Sequence, residues 1–128
     1  MVERSPLLAA LLNDGLERAA TTPELLEITS RMSLLQGDAR HLLACLEEKP
    51  DTIYLDPMYP HRRKSALNKQ EMRLIRTLVG DDTDADELLY AALRHATNRV
   101  VVKRPKGAPL LADLAPSHMI AMKNSRFD

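Results

Sequence analysis

Short β-favouring runs alternate with longer stretches of helical period along this chain, and that alternation limits the folds open to it more than any other feature. Thr52-Ile53-Tyr54-Leu55 and Arg99-Val100-Val101-Val102-Lys103 are the clearest strands. Weaker strand signals lie at 1–3, at 32–36 ahead of Gly37-Asp38, and at 118–123. Between them, Leu7, Leu8, Leu11, Leu12 and Leu16 form a helical stripe, as do Met72, Leu74, Ile75 and Leu78 in 69–79, and Leu88, Leu89, Ala92, Leu93 and Ala96 in 84–97. Ser5-Pro6 and Thr22-Pro23 are helix starts, a capping hydroxyl followed by proline at the first helical position, and Asp38 caps a third helix with Leu42, Leu43 and Leu46. Such alternation predicts an α/β domain with a doubly wound parallel sheet and ligands at the carboxyl ends of its strands. The first leucine stripe should pack on that sheet, and the strand 52–55 should be buried on both faces. At 128 residues, one domain spanning 1–128 is expected.

Composition narrows the class. With 45% hydrophobic and 28% charged residues the chain is globular, and no apolar run reaches the roughly 20 residues that cross a bilayer. No signal peptide is visible, so a cytoplasmic location and no membrane partner are expected. Cys45 is the single cysteine, which excludes an internal disulfide, and it reads as a small core residue on a helix. His41 and His61 read as a helix-surface and a loop histidine, and no pair of side chains has metal-ligand spacing, so no metal is expected. Net charge is zero, but its distribution is uneven. Six cations (Arg62, Arg63, Lys64, Lys69, Arg73, Arg76) face only Glu71 between 61 and 76, whereas 81–87 holds five acids, read as helix-capping charge.

The polar residues of interest sit at the predicted strand ends: Glu3, Asp38, Asp56 and Lys103-Arg104. A carboxylate at such an end can accept from both ribose hydroxyls of a nucleotide, which suits Glu3. Asp38 could accept from the exocyclic amine of adenine or serve as a plain N-cap, and its two oxygens allow both. In Asp56-Pro57-Met58-Tyr59-Pro60 the strand stops at a carboxylate and prolines forbid helix. The amine of a nucleobase is a poor nucleophile because its lone pair is delocalised into the ring. A carboxylate (Asp56) and a carbonyl (Pro57) that both accept from it would localise and aim that pair. Tyr59 would stack on the flipped base, and His61 to Lys64 would grip neighbouring phosphates. The alternative is a strand-terminating Asp-Pro turn with a surface tyrosine and a solvated basic loop.

Asp56-Pro57-Met58-Tyr59 resembles the Asn/Asp-Pro-Pro-Tyr/Phe motif of S-adenosylmethionine-dependent amino-methyltransferases, with methionine in place of the second proline. The longer run from Tyr54 to His61, then Lys64-Ser65-Ala66-Leu67, Glu71-Met72-Arg73 and Val100-Val101-Val102-Lys103-Arg104-Pro105, together with Glu3-Arg4-Ser5-Pro6, is similar to the bacterial RsmJ family. That resemblance covers essentially the whole chain. It implies a Rossmann-like fold, S-adenosyl-L-methionine as cofactor, and methylation of the exocyclic N2 of a guanine in 16S rRNA of the small ribosomal subunit. By the same resemblance Glu3 and Arg4 fall on ribose-binding positions, Asp38 and Ala39 on adenine-side positions, and Asp56 on the catalytic motif. Arg62, Arg63, Lys64, Lys103 and Arg104 are the RNA-contacting candidates. The family carries, ahead of Glu3, a central strand and a glycine-rich turn; here Gly15, Gly37, Gly80 and Gly107 form no such cluster. The fold is therefore expected to be incomplete, like the carboxyl-terminal half of a longer enzyme, with impaired activity. Two half-sheets with unpaired inner edges should result, resolved by pairing across the gap, by another chain, or by a longer protein. Two other functions compete: a non-catalytic RNA-binding or assembly module, and an amino-methyltransferase acting on adenine in DNA.

Overall fold

A computed structural model describes residues 1–59 and 83–120. The chain forms two compact units, Met1–Leu46 and Glu47–Asp128. The expected helix at 69–79 lies outside the described residues. So does 121–123 of the last expected strand, and His118–Ile120 takes no regular secondary structure.

In the first unit, β1 (Val2–Glu3) leads into α1 (Pro6–Ala20) and α2 (Pro23–Thr29), then β2 (Leu35–Gln36) and α3 (Ala39–Cys45). Every helix begins where the start signals place it. Ser5 caps α1 with its hydroxyl accepting from Leu8 N at 3.4 Å, Thr22 occupies the cap of α2, and Asp38 caps α3 by accepting from Arg40 N at 2.9 Å. The strands β1 and β2 are parallel, with Val2 opposite Leu35 and Glu3 opposite Gln36. Gly37 N donates to Glu3 O at 3.0 Å and closes that ladder. Gly37 has φ of +149°, and a Cβ there would stand 3.2 Å from Leu42 Cδ1, so this turn between strand and helix needs glycine.

Two expectations are corrected here. The leucines of α1 are not buried on a sheet: α1 packs mainly against α2, Ala9 is its buried residue, and Leu11 is 59% exposed. Two strands of two residues each offer too little surface to cover that stripe. Cys45 is exposed rather than a core residue, because it falls on the last position of α3.

In the second unit, β3 (Thr52–Leu55) pairs in parallel with β4 (Arg99–Val102), in register from Thr52 opposite Arg99 to Leu55 opposite Val102. Between them in sequence lies α4 (Ala85–His95), and a 3₁₀ turn (Leu111–Asp113) follows. Acids Asp86 and Glu87 in the first turn of α4 and Arg94 and His95 in the last match the helix dipole. The core is Leu55, Leu89 and the fully buried Ala92, enclosed by Ile53, Leu88, Val100, Val102, Leu111 and Ala112. Burial alternates along β3, with Tyr54 60% exposed, so the strand is buried on one face and not on both. The described helix α4 covers one side of the two-strand ladder, which leaves the other side to Thr52, Tyr54 and Val101.

The described strands thus form two separate two-stranded parallel sheets, as expected if a central strand is missing. Within each sheet the parallel pairing places two strand carboxyl ends side by side. Glu3 neighbours the turn at Gly37-Asp38, and Asp56 neighbours Lys103.

Candidate functional site

The second unit builds its polar end from both strands. The ladder extends one bond past β4, with Lys103 N donating to Leu55 O at 2.9 Å, and then Pro57, which has no N–H, follows Asp56. This shared end carries Lys103 Nζ to Asp56 Oδ2 at 2.7 Å, with the two side chains 33% and 53% exposed. The Asp56 hydrogen bond raises the Lys103 pKa above the ordinary lysine value, against partial desolvation that lowers it.

Next in sequence to Asp56, Pro57, Met58 and Tyr59 line a cleft of about 200 Å³ together with Thr83, Ala85, Asp86, Pro109, Leu110 and Leu111. Its size suits a ring system rather than a whole nucleotide. Tyr59 brings its phenolic oxygen into a buried position. Directly after Leu111 the backbone is unusual: Ala112 and Asp113 adopt φ of 50° and 54°, and Ala112 N donates to Asp86 Oδ1 at 2.6 Å. Sequence reasoning read Asp86 only as helix-capping charge and did not find the 109–111 lining; a proline beside an apolar pair was the available signal.

The first unit offers a second group of carboxylates. Glu3 Oε1 accepts from Ser5 N at 2.7 Å, so the end of β1 and the cap of α1 hold this side chain in place. Asp38 is gripped by Arg40, which sequence reasoning did not single out: Arg40 N and Nε reach Oδ1 at 2.9 and 3.1 Å, and the guanidinium reaches Oδ2 at 2.6 Å. Those hydrogen bonds hold the Asp38 pKa down at about 2, against a desolvation effect that opposes them. Asp38 is thus N-cap and ion-pair partner together, and Ala39 is the first residue of α3.

The structure therefore brings Asp56, Pro57, Tyr59 and Lys103 to one end of the second unit, and Glu3 and Asp38 to adjacent strand ends of the first. Arg104 donates to Ala108 O at 2.8 Å. Arg62, Arg63, Lys64 and His61 lie outside the described residues. Among the described residues no three His, Cys, Asp or Glu side chains group to hold a metal ion, and no helix is long and apolar enough to cross a membrane.

Comparison with known proteins agrees with this architecture. Residues 1–128 match the family described as "Putative SAM-dependent methyltransferase". A ribosomal RNA small subunit methyltransferase J from Thioalkalivibrio sulfidiphilus is 58% identical over the whole chain and 51% of its own length. The protein of the same name from Desulfotalea psychrophila is 53% identical over the whole chain and 49% of its length. The crystal structure of a SAM-dependent methyltransferase from Neisseria gonorrhoeae superposes with a TM-score of 0.70 at 36% identity, covering 91% of this chain and 45% of that one. The chain thus spans about half the length of the curated relatives it matches.

Carboxylates at neighbouring strand ends are the acceptor type that the nucleoside part of S-adenosylmethionine calls for: Glu3 Oε1 accepts from Ser5 N, and Asp38 at the adjacent end accepts from Arg40 through both oxygens. With a parallel α/β architecture and carboxylates at its strand ends, a match along its full length, and S-adenosylmethionine as the family's cofactor, this chain belongs to the SAM-dependent methyltransferase family, alongside the RsmJ proteins.

Proposed function

We propose that this chain contributes to methylation of the exocyclic N2 of a guanine in 16S rRNA, on the small ribosomal subunit. The observation that carries the reading is the placement of Asp56 at the end of β3, directly before Pro57 and beside the cleft that Tyr59 lines. The names of the full-length relatives support the substrate class.

S-Adenosylmethionine, when bound, supplies an electrophilic methyl group on a sulfonium. Glu3 and Asp38 would hold its ribose and adenine, with Arg4 and Ala39 beside them. Asp56 and the Pro57 carbonyl would each accept a hydrogen bond from the guanine amine, which draws the nitrogen lone pair out of conjugation and aims it. The Asp56 carboxylate would take the proton that the guanine nitrogen gives up as it gains the methyl, while the S–CH₃ bond of the sulfonium breaks and leaves a neutral thioether. Tyr59 would stack on the flipped base in the cleft that it lines. Arg62, Arg63, Lys64 and Arg104 are read as phosphate contacts. The two compact units are read as parts of one methyltransferase domain in the cytoplasm.

The test is transfer of labelled methyl from S-adenosylmethionine to small ribosomal subunits, with the modified nucleoside identified after digestion. N²-methylguanosine is expected, and Asp56→Ala should remove it with RNA affinity preserved. The 128-residue chain is expected to transfer more slowly than the full-length Thioalkalivibrio relative assayed beside it. Methylated adenine in duplex DNA would favour the competing DNA reading, and absence of S-adenosylmethionine binding by calorimetry would favour an RNA-binding module. The sheet edges, unpaired among the described residues, and the exposed leucines of α1 are read as surfaces for a further chain. Sedimentation showing only monomer at high concentration would remove that part.

A further inference from the structure

We infer that Lys103 is a positioning residue for Asp56, holding Oδ2 so that Oδ1 is the oxygen presented to the substrate amine, and that it does not serve as a phosphate contact. The inference rests on the role proposed for Asp56.

Parallel register makes the arrangement specific. Leu55 stands opposite Val102, and the Lys103 N to Leu55 O bond fixes the next rung. Both side chains therefore leave the same end of the ladder from adjacent strands, and the ammonium reaches Oδ2 at 2.7 Å. A carboxylate on a loop that begins with proline would otherwise rotate about its own side-chain torsions. Pinning one oxygen to a ladder residue removes that freedom and leaves the second oxygen's lone pairs for an incoming N–H. The raised Lys103 pKa is the electrostatic counterpart of the same contact. An ammonium committed to a carboxylate has less to give a phosphate, because reaching the phosphate would cost the pair.

The experiment compares equilibrium binding of guanosine and of guanosine 5′-monophosphate to the 128-residue chain, for wild type, Lys103→Met, Lys103→Arg and Asp56→Asn, with folding checked by circular dichroism. Lys103→Met should weaken both ligands equally, by about tenfold, the scale of one charge-assisted hydrogen bond. Lys103→Arg should restore most of the loss. Weakening confined to the monophosphate would make Lys103 a phosphate contact and overturn the inference, as would no change for either ligand. If Asp56→Asn binds guanosine as wild type does, or wild type binds none, the proposed function itself fails. A titration of the Lys103 Nζ resonance decides the pair in that event: it should titrate above ordinary lysine in wild type and return toward it in Asp56→Asn. An ordinary titration in wild type would refute the pairing.

Discussion

The two units place a carboxylate at the end of a parallel strand pair and neutralise it by different means. In the first, Asp38 is gripped by Arg40, two residues away on the same helix start. In the second, Asp56 is held by Lys103, which lies 47 residues further along the chain and reaches it only because β3 and β4 are in register. The first contact is built into the cap of α3 and survives as long as that turn does. The second exists only when the sheet is formed. Their cores differ in the same sense: Leu55, Leu89 and Ala92 form a buried cluster in the second unit, whereas the first buries Ala9 and Leu43 and leaves Leu7, Leu11 and Leu12 of α1 exposed. A site that depends on tertiary register thus sits on the unit with a core to hold that register.

Core substitutions should break the comparison most strongly. Leu55→Ala should cost about 3 kcal/mol in urea denaturation, by lost burial and a residual cavity. Leu11→Ala on the exposed face of α1 should stay within about 0.5 kcal/mol. Equal losses would show that the α1 leucines are buried in solution by something further.

Capping comes next. Asp38→Ala should cost about 1 kcal/mol by leaving Arg40 N without its acceptor, and Asp38→Asn should recover part of that loss. Asp56→Ala should cost less, because its partner contact is largely solvent-screened.

Acid and base should separate the two pairs. Asp38 titrates at about 2 in the folded chain against an ordinary 3.8, so its contribution is complete above pH 4 and disappears as pH falls towards 2. Lys103 is shifted the opposite way: its contribution is full below the ordinary 10.5 and is lost as pH rises beyond it through the raised folded value. Stability of Asp38→Ala and Lys103→Met chains across pH should therefore converge on wild type at opposite ends. Convergence at the same end would contradict one assignment.

The smallest expected effect is ionic. A double-mutant cycle on Asp56 and Lys103 should give under about 1 kcal/mol of stability coupling, falling in high salt, because both side chains are part exposed. A large coupling that salt leaves unchanged would mean that the pair is shielded from water in solution.

The start of each described helix, the two clear strands, the parallel α/β class and the Asp56-Pro57 stop were legible in the chain, because each follows from a residue and its immediate neighbours. Ser5-Pro6, Thr22-Pro23 and Asp38 act through the first turn that follows them. Burial was not legible to the same degree. Periodicity gives α1 an apolar face without saying what covers it, and a continuous apolar strand such as 52–55 reads as doubly buried until the number of covering layers is known. Cys45 was misjudged for a related reason: helix membership was readable, but its place at the end of α3 was not.

Of the candidate site, local chemistry determined that Asp56 ends a strand, that Pro57 stops the ladder and that Asp38 caps a helix. Tertiary structure alone decided that Lys103 lies on Asp56 and that 109–111 lines one cleft with Pro57 to Tyr59. It also decided that Asp86 accepts from Ala112 N, just past that segment. Caps and stops involve hydrogen bonds between residues two to four apart, whose geometry the backbone supplies wherever the turn forms. A contact between residues tens of positions apart requires the ladder to set its register first, and nothing in either residue announces its partner.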